Sequence, residues 1–138
     1  MLRRFLLILL TLACLATQAF GEKWIWVVTS LAAKQSIDTD SLRWVDSDTL
    51  EVWAQVVMLP GKRLSDMKLS LGQNFNSFKQ LYQYRVSDRR SQILYVVTYA
   101  STGEVLNREE QSQNWTPIIP GSVDEAQFKF ALQYAPRR

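Results

Sequence analysis

Beyond residue 22 the apolar positions recur mostly at every second residue, the period of a β-strand, and change to helical spacing only near the end of the chain. Lys23–Ser30 (KWIWVVTS) is rich in aromatic and β-branched residues and predicts a strand. It is apolar on both faces, which predicts a central position or cover on both sides. Gln35–Leu42 predicts a polar turn region with a short strand around Ser36–Ile37, and Asp46-Ser47-Asp48 is a turn signal. Leu50–Leu59 alternates: Leu50, Val52, Ala54, Val56 and Met58 share a core face, while Glu51, Trp53, Gln55 and Val57 share a mixed one. Pro60-Gly61 ends that strand. Leu64, Met67, Lys68 and Leu71 have helical spacing, but Gly72 and Asn74 interrupt it, so Lys62–Asn76 predicts a loop with a short helical turn.

The alternation resumes over Phe78–Val86, turns at Ser87–Arg90, and returns in Ser91–Ala100, the strongest strand signal of the chain. Ser101-Thr102-Gly103 predicts a hairpin connection. The charged stretch Glu104–Gln113 suits an exposed edge strand, with Glu109 and Glu110 opposing strand addition by another chain. The prolines of Trp115–Ser122 argue against a place in the ladder. Ser122-Val123-Asp124-Glu125 is a capping box, and Asp124 and Glu125 favour the positive end of a helix dipole. The helix is predicted over Val123–Gln133, with Val123, Ala126 and Phe130 on one stripe and Phe128 and Leu132 on another. The fold class is therefore α+β: a single antiparallel sheet of about five to six strands with one C-terminal helix packed on it.

The first stretch follows a different rule. Arg3 and Arg4 precede an apolar run from Phe5 to Leu15, and small residues follow, ending Ala19-Phe20-Gly21. That is the form of a secretory signal, and the run is shorter than the roughly 20 residues a membrane span needs. Residues 1–21 are read as a signal peptide and residues 22–138 as one domain. Cleavage after Ala19 is a near alternative, and Thr11-Leu12-Ala13-Cys14 offers a second one, lipid attachment at Cys14.

Export changes the charge picture. Without Arg3 and Arg4 the Lys+Arg count falls from 16 to 14 against 13 acidic residues, so the net charge drops from +3 to +1. A nucleic-acid footprint is not supported. Cys14 is the chain's one cysteine and there is no histidine. The domain then has no disulfide, no usual zinc ligand set and no Ser-His-Asp or Cys-His machinery. Neither enzyme chemistry nor a cofactor or metal is expected. Asp38, Asp40, Asp46 and Asp48 cluster before the second long strand, but without calcium-loop spacing, and turn formation explains them better.

Contact residues are sought among aromatics and basic pairs. Of Trp24, Trp26, Trp44, Trp53 and Trp115, Trp53 is the best candidate for exposure, because Glu51 and Gln55 flank it on its own face. Lys62-Arg63 and Arg89-Arg90 sit at turns, where they would meet an anionic partner, and the hairpin tip would project Arg89 and Arg90. Core packing for tryptophans and solvation for turn charges are the plainer explanations. Exposed sheet edges also admit a homodimer.

The opening Trp24 strand, the Asp-Ser turn around Asp38–Leu42, Val52-Trp53, the strand–turn–strand centred on Arg89-Arg90, Tyr99 with Gly103, and Trp115 followed by Ile119-Pro120-Gly121-Ser122 and a closing helix together resemble the surface-adhesin protein E-like family of Gram-negative bacteria. The resemblance implies an antiparallel sheet with a C-terminal helix, a secreted or surface location and, for the member that names the family, adhesion to host matrix and serum proteins. Many members carry a cysteine before the Arg-Arg turn and another at the end of the helix; here Val86 and Leu132 stand there, which implies an apolar contact in place of a bridge. The expected function is an exported, non-enzymatic binding module, periplasmic or at the outer-membrane surface, with a protein or anionic glycan or lipid as partner. It meets the membrane only through export or an anchor at Cys14. The alternative is a periplasmic structural or accessory protein of the envelope with no host contact.

Overall fold

The computed structural model describes residues 22–112 and 114–138. The predicted signal peptide, its cleavage site and Cys14 lie outside the described residues, as does Gln113 at the end of the predicted edge strand. The strands are β1 (Trp24–Thr29), β2 (Ala33–Asp38), β3 (Arg43–Trp44), β4 (Thr49–Met58), β5 (Phe75–Arg85), β6 (Arg90–Ala100), β7 (Val105–Glu110) and β8 (Thr116–Pro117). Helix α1 spans Lys62–Leu71 and helix α2 spans Val123–Tyr134. All pairings are antiparallel, in the order β1-β2-β4-β5-β6-β7. The two-residue β3 continues the edge of β4 beyond β2, and β8 continues the edge of β6 beyond β7. The main path thus has the six strands expected, and two short bridges raise the sheet to eight.

One face of the sheet carries both helices. Along β4 the alternation places Leu50, Val52, Ala54, Val56 and Met58 on that face, all buried. Helix α2 lays Phe128 and Ala131 on Ile37, Leu50, Val52, Ala54 and Tyr84, with the Tyr84 and Phe128 rings 5.3 Å apart. Helix α1 sets Leu64 and Met67 against Val56, Met58, Phe75 and Phe78 in a second cluster. Val86 and Leu132, the positions of the absent cysteine pair, both pack against the α2 cluster.

Several elements differ from the sequence expectation. The predicted loop is the ten-residue helix α1: Gly72 does not interrupt it but ends it, at φ 110°, with its N–H donating to the Lys68 carbonyl at 3.0 Å. β1 is an edge strand rather than a central one, its Val27 turned into the core and Trp26 60% exposed on the opposite side. Pro117 does enter the ladder, opposite Arg90, at the margin of the sheet where a missing N–H is tolerated, and the next amide, Ile118, donates to the Arg89 carbonyl at 3.0 Å. Ser122 caps α2 as expected, accepting from the Glu125 amide at 3.1 Å, while the Glu125 carboxylate reaches back to Gly121 N–H at 3.2 Å, one residue before the cap.

The buried side of α2 is Gln127, Phe128 and Ala131, whereas Val123 is 40% exposed. Gln127 is fully buried and donates through Nε2 to the Tyr84 hydroxyl at 2.5 Å; its Oε1 accepts from Gln35. The Tyr84 hydroxyl donates to Asp124 Oδ1 at 3.2 Å, and Ser91 donates to Asp124 Oδ2 at 2.7 Å. A polar chain therefore runs under the helix from β2 to β6. Among the described residues no helix is long and apolar enough to cross a membrane.

Candidate ligand-binding face

Among the described residues neither helix packs on the other face of the sheet. The period-two rule puts Trp24 and Trp26 of β1, Trp53 of β4, Lys79 and Leu81 of β5, Tyr95, Val97 and Tyr99 of β6 and Arg108 of β7 on it. Trp53 faces Leu81 across one strand pair and Leu81 faces Tyr95 across the next. The Trp53 and Tyr95 rings meet edge to face, 6.4 Å apart at 83°. A cavity of about 380 Å³ opens here, lined by Trp24, Trp53, Tyr95 and Tyr99 together with Glu22, Asp38, Lys79 and Arg108.

Lys79 ties the cavity together. Its ammonium lies 5.0 Å from the Trp24 ring centre and 5.3 Å from that of Tyr99, and 3.2 Å from both Glu22 carboxylate oxygens. The Trp24 indole N–H donates to Glu22 Oε2 at 2.9 Å. That indole bond first, and the Lys79 bond and charge after it, hold the Glu22 carboxyl below its ordinary range against the opposing effect of partial burial. β1 and β5 are separated by β2 and β4, roughly 14 Å in a flat sheet at normal strand spacing. The long Trp24 and Lys79 side chains reach toward each other across that gap and close one side of the cavity.

Of the residues singled out from the sequence, Trp24, Asp38 and Trp53 line this cavity; Trp53 is half-buried against Tyr95 rather than exposed, and Trp26 is the exposed tryptophan. The basic pairs lie elsewhere. Arg89 binds Glu125 Oε2 at 2.7 Å and covers the Phe128 ring at 5.5 Å, so it links the β5–β6 turn to α2. Arg90 pairs with Asp88 at 3.5 Å and donates to the Trp115 carbonyl at 3.3 Å. Lys62 pairs with Asp66 along α1 at 2.7 Å, and Arg63 lines a groove between α1 and α2 on the helix side. The aspartates shape turns: Asp38 Oδ1 accepts from the amides of Lys23 and Asp40, Asp46 from those of Asp48 and Thr49, and Asp48 from Ser87. Among the described residues no group of three or more His, Cys, Asp or Glu side chains is placed to hold a metal.

Glu22, Lys79, Tyr95, Tyr99 and Arg108 were not singled out by the sequence. The alternation of Tyr95, Val97 and Tyr99 is visible in it, but Ser91–Ala100 is apolar on both sides, so nothing local tells which face the helices leave bare.

In comparison with protein-family models, residues 24–131 match the one described as Surface-adhesin protein E, from the first residue of β1 to Ala131 in α2. Comparisons with curated proteins and with solved structures return no match.

Proposed function

The chain belongs to the surface-adhesin protein E family, and from that premise we propose that it is an exported, non-enzymatic binding module whose contact surface is the helix-free face of the sheet. The observation that carries this reading is the concave aromatic cavity itself. Both helices are spent on one side, and the other keeps Trp24, Trp53, Tyr95 and Tyr99 around an open volume of about 380 Å³, the lower end of the range of ligand sites. Aromatic side chains bury much area at little entropic cost, so they suit recognition. The ordered role of Arg89 in holding α2 leaves Trp53 as the better contact candidate.

The test uses protein expressed with its own residues 1–21 and processed by the cell. Fractionation should find it outside the cytoplasm; cytoplasmic retention overturns export. Proteolysis of intact cells then separates the two locations. Digestion supports contact with a host, and protection directs the search to partners within the envelope. Retention of the purified protein on immobilised matrix and serum proteins should be lost in Trp53→Ala at a temperature where circular dichroism shows the variant fully folded. Equal retention of both proteins overturns the assignment of this face.

A further inference from the structure

Resting on the reading of the uncovered face as the contact surface, we infer that its cavity is a site for a carboxylated saccharide about two sugar rings long. The charges at the site sort themselves. Glu22 and Lys79 neutralise each other, and Lys79 already occupies the electron-rich faces of Trp24 and Tyr99 where a cationic ligand would sit. Among the described residues neither Arg108 nor Asp38 forms an ion pair, so Arg108 is the cation left to take an anionic group of a ligand on one side, and Asp38 is a carboxylate left to take hydroxyls on the other. A guanidinium matches a carboxylate with two parallel hydrogen bonds.

The aromatic geometry selects the rest of the molecule. Trp53 and Tyr95 stand at 83° to one another, so they form an angled floor and not a slot with parallel walls. A planar aromatic ligand would find no sandwich there. A pyranose chair presents C–H bonds to the negative face of a ring and hydroxyls around its rim, and it fits an angled floor. Asp38 uses Oδ1 for the Lys23 and Asp40 amides, which leaves Oδ2 to accept from a sugar hydroxyl. Arg108 on β7 and Asp38 on β2 lie on opposite sides of the cavity, with β4, β5 and β6 between them. A carboxylate at one end and hydroxyls at the other span that width better in a disaccharide than in a single ring. A matrix glycan and the bacterium's own envelope polysaccharide both carry this chemistry.

The probes are cellobiouronic acid and cellobiose, which differ only in a carboxylate, titrated into the whole processed protein while the indole N–H resonances of Trp53 and Trp24 are followed by NMR. The acid should bind about tenfold more tightly than the neutral sugar, the scale of one charge-assisted hydrogen bond. Arg108→Gln, on an exposed edge strand, should erase that difference, and raising the salt should weaken the acid more than the neutral sugar. Equal binding of the two sugars to wild type, a difference that survives Arg108→Gln, or no shift of the Trp53 resonance overturns the proposal. If no sugar binds but Trp53→Ala still loses matrix retention, the ligand class is wrong and the contact face stands. In a second arm, acidic oligosaccharides from matrix glycan and from the envelope are compared; tighter binding of one than of the disaccharide names the source, and weaker binding of both overturns the proposal.

Discussion

The polar chain under α2 can be dissected by a double-mutant cycle on Tyr84 and Gln127. Tyr84→Phe removes a hydroxyl that accepts from Gln127 at 2.5 Å and donates to Asp124 at 3.2 Å. Gln127 is 0% exposed, so water cannot replace the lost acceptor, and an amide N–H left bare in a buried site costs about 1–3 kcal/mol. Asp124 suffers less, because it is half-buried and keeps the Ser91 hydroxyl at 2.7 Å. The sum is a loss of about 2–3 kcal/mol. Gln127→Leu costs less, about 1 kcal/mol: Tyr84 still donates to Asp124, and Gln35, itself half-buried, can turn to water. In the double variant both partners are apolar and of similar shape, so the penalty for the stranded amide disappears. The combined loss should then fall below the sum of the singles by about 1–2 kcal/mol. Urea unfolding at neutral pH with linear extrapolation measures all four corners, provided the m-value is unchanged. Additivity within about 0.5 kcal/mol would refute the view that the two side chains act as one buried unit.

Alkali should attack the same region. Burial first, and the neighbouring Asp124 carboxylate after it, raise the pKa of both Tyr82 and Tyr84 above the ordinary value of 10.0. Above that pH the unfolded chain releases protons that the folded chain keeps, so stability is complete below pH 10 and falls by about 1.4 kcal/mol per pH unit for each tyrosine. Urea midpoints at pH 9, 10 and 11 should show the fall, and Tyr84→Phe should have the shallower slope; parallel slopes would contradict the burial argument. At the β5–β6 turn, Arg89 adopts φ 52°, a conformation that favours glycine. Arg89→Gly should therefore be more stable than Arg89→Ala by about 1 kcal/mol, although both lose the Glu125 and Phe128 contacts, and equal Tm values would remove the backbone contribution.

What the sequence made legible is what neighbours along the chain decide. Leu50 to Met58 declare their core face by alternation alone, and Ser122 with Glu125 marks the start of α2 within four residues. What it hid depends on distant partners. Leu64 and Met67 form a helix because Val56, Met58, Phe75 and Phe78 receive them, and no window around Gly72 contains that information. Gln127 breaks the apolar pattern of α2, yet its burial is satisfied by Tyr84, 43 residues earlier. The aromatic strand β1 looked central because both faces are apolar; it tolerates an edge because Lys79, 57 residues beyond Glu22, lays its ammonium over Trp24. The polar neighbours of Trp53 marked it as the tryptophan best placed for exposure, yet Glu51 is itself buried and Trp53 is half-buried, and the cavity around it was not legible, since its walls come from six strands and from Glu22.

The pairing registers are irregular beside this cavity. The register shifts between Trp26 and Val28, between Leu81 and Tyr82, and between Thr98 and Tyr99. An extra residue in one strand raises local twist and bends that strand, and it commonly re-aims side chains beside a binding site. These three irregularities adjoin the residues that line the cavity: Trp24 precedes the first, Lys79 and Tyr95 flank the second, and Tyr99 sits at the third. A regular six-stranded sheet with two helices on one side would present its other side as a twisted but open surface. Here β1, at the margin, and β6, beside β5, both supply an aromatic ring to the same lysine. The register slips that look like defects in the ladder therefore sit beside the side chains on which recognition at this face depends.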